Sequence, residues 1–315
     1  MVSTVVECDR VGKRYGSRVA LESLSLSVEA GEILGVLGPN GAGKTTAIRV
    51  LTTVIPQDLG TFSVAGVPHT RPAEIRRLVG ALPESAGYPE RQTAEEYLRY
   101  FARLFGHSRE SARAVATALL RDVGLADRGR SLVASYSRGM RQRLGIARAL
   151  VNDPRVVFLD EPTLGLDPAG QRQVIALVRR ISEERGVTVL LCTHLLAEVE
   201  EVCSRVLILS RGRVAAEGTV SEVTRLAAAP RTARLRVAAE DAERARGRLA
   251  GVPGIAGVEP AAGQPGSFVA TLDNGSGATV SDCLRALADA DVSVLAFELE
   301  GARLSDAFLA MTGEG

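Results

Sequence analysis

A layered α/β core with a partly parallel sheet, followed by a smaller α+β unit, is the fold this sequence predicts. Three observations lead there. Segments with strand character recur at 4–8, 20–27, 33–37, 156–159, 187–193 and 206–209, and several of them are short continuous apolar runs bounded by Gly, Pro or charge, the pattern of strands buried on both faces. Helical periodicity alternates with these runs after Gly43 and over 170–185. Beyond Leu226 the texture changes to AAAPRTAR, a linker-like stretch after which a second series of elements begins.

In chain order, the runs at 4–8 and 20–27 read as strands. The run 33–37 ends at Gly38-Pro39 and leads through a Gly-rich turn into a helix after Gly43. From 93 to 151 apolar residues fall at helical spacing, as in Tyr97, Tyr100, Phe101 and Leu104, then Val115, Leu119 and Val123, which reads as a helical insertion. The strand at 156–159 ends in Asp160-Glu161, and the helix at 170–185 leads to a strand that ends in Thr193-His194. After the linker the pattern gives strand 233–237, helix 240–249, strand 267–272, helix 280–288, strand 292–299 and a last helix 304–311. The stretch 251–266 is rich in Gly, Ala and Pro and is assigned no element. The domains are therefore 1–226, with a helical subdomain at about 87–151, and an accessory unit at 227–315.

Composition bounds what such a fold does. With 315 residues, 46% apolar and 24% charged, the chain is long enough for one large core and a small second one. A formal charge of +1 argues against a nucleic-acid partner. Positive charge is carried almost entirely by Arg, and the only lysines are Lys13 and Lys44. Cys8, Cys192, Cys203 and Cys283 show no paired spacing, which fits buried thiols in a reducing compartment. The start MVSTVVECDR has acids where a secretion signal has an apolar stretch, and no uncharged apolar run approaches the ~18 residues of a membrane span, so the expectation is a chain that is not secreted and does not itself cross a bilayer.

Three motifs carry chemistry. Gly38-Pro39-Asn40-Gly41-Ala42-Gly43-Lys44-Thr45, followed by Thr46, satisfies the G-x-x-x-x-G-K-[ST] pattern between a strand and a helix. Its glycines let backbone N–H groups curl around phosphates, the helix N-terminus favours their charge, Lys44 reaches the terminal phosphate oxygens and the Thr45 hydroxyl can ligate Mg²⁺. Asp160 and Glu161 stand at a strand's carboxyl end, where open α/β sheets bind ligands; Asp160 suits the Mg²⁺ shell and Glu161 an attacking water. Alone, such a pair is more often a helix cap or a solvated pair. His194 arrives one strand-helix unit later at the same edge; a lone His is more often structural, but here a γ-phosphate sensor is the better reading.

In order, GPNGAGKTT, YSRGMRQR, VVFLDEPTLGLDP and the CTH segment resemble the phosphate loop, signature turn, acidic strand, dimer loop and histidine switch of ATP-binding cassette transporter ATPases over roughly 4–220. The resemblance implies a P-loop NTPase fold, with a RecA-like core, an antiparallel β subdomain and the helical insertion. It implies ATP and Mg²⁺ as cofactors, and a second copy or homologous cassette as partner. A separate integral membrane permease and a peripheral location on the cytoplasmic side of the membrane also follow from it. By it, Tyr15 stacks on adenine, Asp167 meets the partner cassette, and Ser137 with Gly139 binds the γ-phosphate held by the other subunit. Read without it, Tyr15 is a surface aromatic and Asp167 caps the next helix.

Arg138 and Met140 stand where the commonest signature has Gly and Gln, and Glu84 stands where the lid loop usually has Gln. A Glu can ligate Mg²⁺ or its water but cannot donate a hydrogen bond. These variants resemble the branch that exports drugs, lipids, polysaccharides or sodium, as does LSDAFLAMTG near the C-terminus. The rival is a soluble cassette ATPase that acts as a conformational switch in translation or DNA repair. Those resemble chains with two cassettes or a very long coiled coil, whereas this one has one cassette and a short insertion. The accessory unit reads either as a dimer-stabilising or spacing module or as a ligand-binding regulator.

Overall fold

Two long antiparallel strands, β1 (Thr4–Tyr15) and β2 (Arg18–Glu29), open the chain in the computed structural model, which describes residues 3–85, 87–226, 231–261, 266–272, 280–300 and 303–313. In β2 burial alternates through Leu24, Leu26 and Val28, the period of a strand with one face on the core. Strand β3 (Ile33–Leu37) is buried along its whole length and gives way, through the loop 38–43, to helix α1 (Lys44–Leu51). Next come the edge hairpin β4 (Leu59–Val64) and β5 (Val67–Pro68), helix α2 (Pro72–Leu78) and the short strand β6 (Val79–Leu82).

The helical insertion consists of α3 (Ala94–Leu104), α4 (Arg109–Asp122) and α5 (Arg138–Ala149). Thr93 and Glu96 form a reciprocal capping box at the start of α3, so the helix begins where two of its orphan N–H groups are satisfied. Its buried stripe runs through Ala94, Tyr97, Leu98 and Ala102, while Tyr100 and Leu104, which share the helical spacing, are exposed. The chain returns to the sheet with β7 (Val156–Asp160), α6 (Pro168–Arg185), β8 (Thr188–Thr193), α7 (Leu196–Val202), β9 (Arg205–Ser210) and β10 (Arg213–Thr219), followed by α8 (Val220–Leu226).

One ten-stranded sheet runs in the order β5-β4-β1-β2-β10-β9-β3-β8-β7-β6. Its first four strands are antiparallel, whereas β9, β3, β8, β7 and β6 are mutually parallel. Alternate residues of β7 serve two cores: Val157 and Leu159 pack with the insertion and α6, Val156 and Phe158 with α1 and the antiparallel strands. That is why the parallel strands read as unbroken apolar runs. The register pairs Leu37 with Thr193, Asp160 with Cys192 and Leu82 with Leu159. Four strands therefore end together, and the loops that follow them share one edge of the sheet.

The expected strands at this end are present, but β4, β5, β6, β10 and, further on, a strand at 255–260 were not foreseen. Strand β6 is four residues long and contains Gly80, both poor strand signals. The structure requires that glycine: a Cβ there would lie 1.9 Å from the Ala149 carbonyl oxygen, because the end of α5 rides directly on the strand. Gly80→Ala is expected to destabilise the chain by about 1–3 kcal/mol, seen as a lower urea midpoint at unchanged slope.

The chain divides at Val220/Ser221, short of the expected boundary at Leu226. In the second unit β11 (Arg231–Val237), α9 (Ala242–Ala250), β12 (Ile255–Pro260), β13 (Ser267–Leu272), α10 (Val280–Ala288) and β14 (Val294–Glu300) form a βαββαβ arrangement, and α11 (Leu304–Thr312) closes the described chain. Its antiparallel sheet has the order β12-β13-β11-β14. The core takes Ala233, Leu235 and Val237 from one strand and Phe268 and Ala270 from another, with Leu249 and Leu287 from the helices. Asp241 fastens the sheet to α9: its carboxylate accepts from the Ser293 N–H at 2.9 Å and pairs with Arg244, and these two partners hold its carboxyl below the usual range. Among the described residues no helix is long and apolar enough to cross a membrane.

Candidate nucleotide-binding site

Helix α1 starts at Gly43, whose φ of 112° belongs to the region that favours glycine and whose place a Cβ would fill 2.6 Å from the Ala20 carbonyl oxygen. No side chain caps this helix, so its first N–H groups remain free for an anion. The loop from Pro39 to Thr46 lines a cleft of about 590 Å³ together with Tyr15, Arg18, Glu84, Glu161 and His194. Gly38 lies behind the loop, packed against the Leu209 carbonyl. Lys44 is buried, its ammonium donating to the Gly38 carbonyl at 2.5 Å and standing 3.8 Å from Glu161 Oε1.

The acidic pair divides as its backbone dictates. Asp160 completes β7 and is buried; Glu161, one residue on, has φ 49°, a left-handed conformation that costs a non-glycine residue about 1–3 kcal/mol. A bond from its N–H to the Cys192 carbonyl at 2.8 Å holds the turn. That turn brings Oε2 within 2.8 Å of His194 Nδ1 while Oε1 faces Lys44, so one carboxylate links the groups delivered by β8 and by the phosphate loop. Behind them Thr193 donates to Glu198 at 2.9 Å. Burial first, then the nearby Glu161 charge, push the Glu198 carboxyl up, against the pull of its hydrogen bonds and His194.

Burial likewise raises the Asp160 carboxyl; the charges of Glu161 and Glu84 act in the same sense, while a hydrogen bond with Thr45 and the charge of Lys44 oppose it. Its Oδ1 is buried without a hydrogen-bond partner. An orphaned carboxylate oxygen beside a threonine hydroxyl and a second acid is a donor set that suits a hard cation. That set fits Mg²⁺, an ion that takes one or two carboxylates and completes its shell with phosphate and water.

A second constellation stands apart. Ser137, Gly139 and Asp167 do not line this cleft. Ser137 caps α5, its hydroxyl oxygen accepting from the Met140 N–H at 3.2 Å, which leaves the hydroxyl proton to donate elsewhere. Asp167 caps α6 by accepting from the Gly170 N–H at 3.1 Å, and Pro168 follows it at the first helical position. Leu166 Cδ2 lies 3.9 Å from where a Cβ on Gly139 would be, so the signature turn and the loop before Asp167 form one surface.

Several contributors were not foreseen from sequence. Asp58 fixes the end of β1 by accepting from Lys13 Nζ at 2.9 Å and the Arg14 N–H at 2.7 Å; Lys13 then lies 5.9 Å over the ring of Tyr15, which is 44% exposed. These two bonds, with the lysine's the larger, hold the Asp58 carboxyl below its usual range. Asp58 lies 44 residues from Arg14 in a stretch without pattern, so nothing local marks it. Arg18 and Arg49 also reach the cleft. Glu198 had a signal, a carboxylate one helical turn beyond Thr193-His194.

Known proteins resemble this chain in sequence and in fold. The family described as ABC transporter matches residues 21–164. The daunorubicin resistance ATP-binding protein DrrA2 of Streptomyces coeruleorubidus is 38% identical over 309 residues, covering 98% of this chain and 95% of its own. The Nod factor export ATP-binding protein I of Paraburkholderia xenovorans is 40% identical over 222 residues, 70% of this chain and 73% of its own. A solved ATP-binding subunit of an ABC transporter superposes with a TM-score of 0.63 at 32% identity, over 71% of this chain and 93% of that one. A relative 38% identical along almost its whole length, with the same fold in a solved subunit, places the chain in the ABC transporter family as an ATP-binding subunit.

Proposed function

We propose that the chain binds and hydrolyses ATP as a peripheral subunit on the cytoplasmic side of a membrane, where it drives export through a separate permease. The relatives named for drug resistance and Nod factor export favour the outward direction and a transport role over a soluble switch. One observation carries the mechanistic reading: Glu161 is held by Lys44 and His194 beside the phosphate loop, while the Ser137–Gly139 turn lies outside that cleft. A phosphate site in two halves on different surfaces is completed by a second copy or a homologous cassette placed head to tail.

In this reading Tyr15 stacks on adenine, the backbone amides of residues 40, 41 and 43–46 and the Lys44 ammonium hold the phosphates, and Glu161 orients the attacking water. His194 fixes the Glu161 carboxylate and meets the γ-phosphate. Thr45, Asp160 and Glu84 hold Mg²⁺, which when bound neutralises charge on the transferring phosphoryl group. Ser137 and Gly139 donate to the γ-phosphate in the partner's cleft, with Asp167 at the junction. The coupling helix of the permease docks between the helical insertion and the lid loop near Glu84.

Lys44→Ala tests the cleft. Loss of a buried, charge-assisted contact is expected to weaken ATP binding about 10- to 100-fold in a calorimetric titration, and hydrolysis with it. Unchanged affinity would show that the phosphates lie elsewhere.

A further inference from the structure

Arg138 is the residue of the signature turn that the family resemblance leaves without a task. It is the first residue of α5, exposed, and immediately follows the cap Ser137. Its guanidinium lies on Gly165: Cζ and Nη1 are each 2.3 Å, and Nη2 2.6 Å, from where a Cβ on Gly165 would stand. Three guanidinium atoms at nearly equal distances mean that the flat face of the group covers this residue. Gly165 has φ 70° and lacks the side chain that would collide.

Gly165 sits midway along the loop from Glu161 to Asp167. That loop is two successive turns, closed by Leu164 N–H to the Glu161 carbonyl at 3.1 Å and Leu166 N–H to the Thr163 carbonyl at 3.0 Å. It begins at the strained backbone of Glu161 and ends at the cap of α6. A group that immobilises its middle therefore restrains the direction in which the Glu161 carboxylate leaves β7.

From this contact we infer that Arg138 is a positioning residue for Glu161 and that it ties the signature turn to the hydrolytic loop of the same chain. The inference rests on the assignment of Glu161 to water activation made above. Because the signature turn then serves the partner's nucleotide, Arg138 makes the half-site offered to one ATP sensitive to the carboxylate acting on the other. A Gly at this position, as in the commonest signature, has no side chain with which to make the link.

The test is steady-state ATP hydrolysis by the full chain carrying Arg138→Ala, Arg138→Lys, Glu161→Gln, or Arg138→Ala with Glu161→Gln. Both Arg138 variants are expected to lower kcat about 10-fold while leaving the KM for ATP within about two-fold, since misplacing a reacting group costs rate rather than affinity and an ammonium cannot present a flat face. If Arg138 acts through Glu161, the double variant is expected to be no slower than Glu161→Gln alone, because the first change then has nothing left to misplace. Parental kcat in Arg138→Lys, a rise in KM in place of a fall in kcat, or multiplied losses in the double variant would each overturn the proposal. Glu161→Gln measured alongside separates the failures: if it hydrolyses at the parental rate, the reading of the site falls and the proposal with it. If it is inactive while Arg138→Ala is normal, only the proposal falls.

Discussion

Glu161→Gln is expected to bind ATP as well as the parent and to hydrolyse it about 10²- to 10⁴-fold more slowly, the range over which a positioned general base acts. The geometry explains why one atom matters. Oε2 faces His194 at 2.8 Å and Oε1 faces Lys44 at 3.8 Å, so an amide of the same shape keeps the cleft filled. What it loses is the negative charge that accepts a proton from water. The phosphate loop and Tyr15 are untouched, so affinity should hold. A stable dimer retaining unhydrolysed ATP, seen by size-exclusion chromatography with nucleotide analysis of the peak, is the expected signature. Normal turnover in this variant would remove Glu161 from the reaction.

Ser137→Arg should give the opposite division of effects. Ser137 does not line its own chain's cleft, so a single subunit should bind ATP with parental affinity. The substitution removes the cap of α5, at a cost of about 0.5–2 kcal/mol, and places a long cation where a phosphate oxygen should meet a hydroxyl. Association driven by ATP, followed by sedimentation, should disappear and hydrolysis should fall to background. Reduced ATP binding by the isolated subunit would mean instead that the turn acts in cis. Together the two variants separate a carboxylate that works after closure from a turn that makes closure happen.

The parts of this site that sequence made legible are those in which chemistry and chain continuity coincide. The loop 38–46 is contiguous, and the strand before it ends where an unbroken apolar run stops. Asp160, Glu161 and His194 could be placed at one edge because parallel strands deliver their carboxyl ends to the same side. Glu84 depended on β6, a strand of four residues with a glycine inside; its place beside Asp160 follows from the pairing of β6 with β7, across more than seventy residues of chain. Asp58 was illegible for a similar reason, since it acts through a backbone N–H on a distant strand. In the second unit the hydrophobic alternation of β11 and β13 was plain, whereas edge strand β12, with a Gly within it and a Pro at its end, carried none.

The distribution of positive charge has a practical corollary. The chain has two lysines among thirty-eight basic residues; one is the buried ammonium of the phosphate loop and the other lies over the tyrosine that borders the same cleft. The other thirty-six of these are guanidinium groups, which do not acylate under conditions that modify amines. For amine-directed chemistry the side chains of this protein therefore present a nearly blank surface, with one reactive position in the cleft and the other beside the tyrosine that borders it. Acylation mapped by mass spectrometry thus reports occupancy of one site, without a competing background of surface lysines.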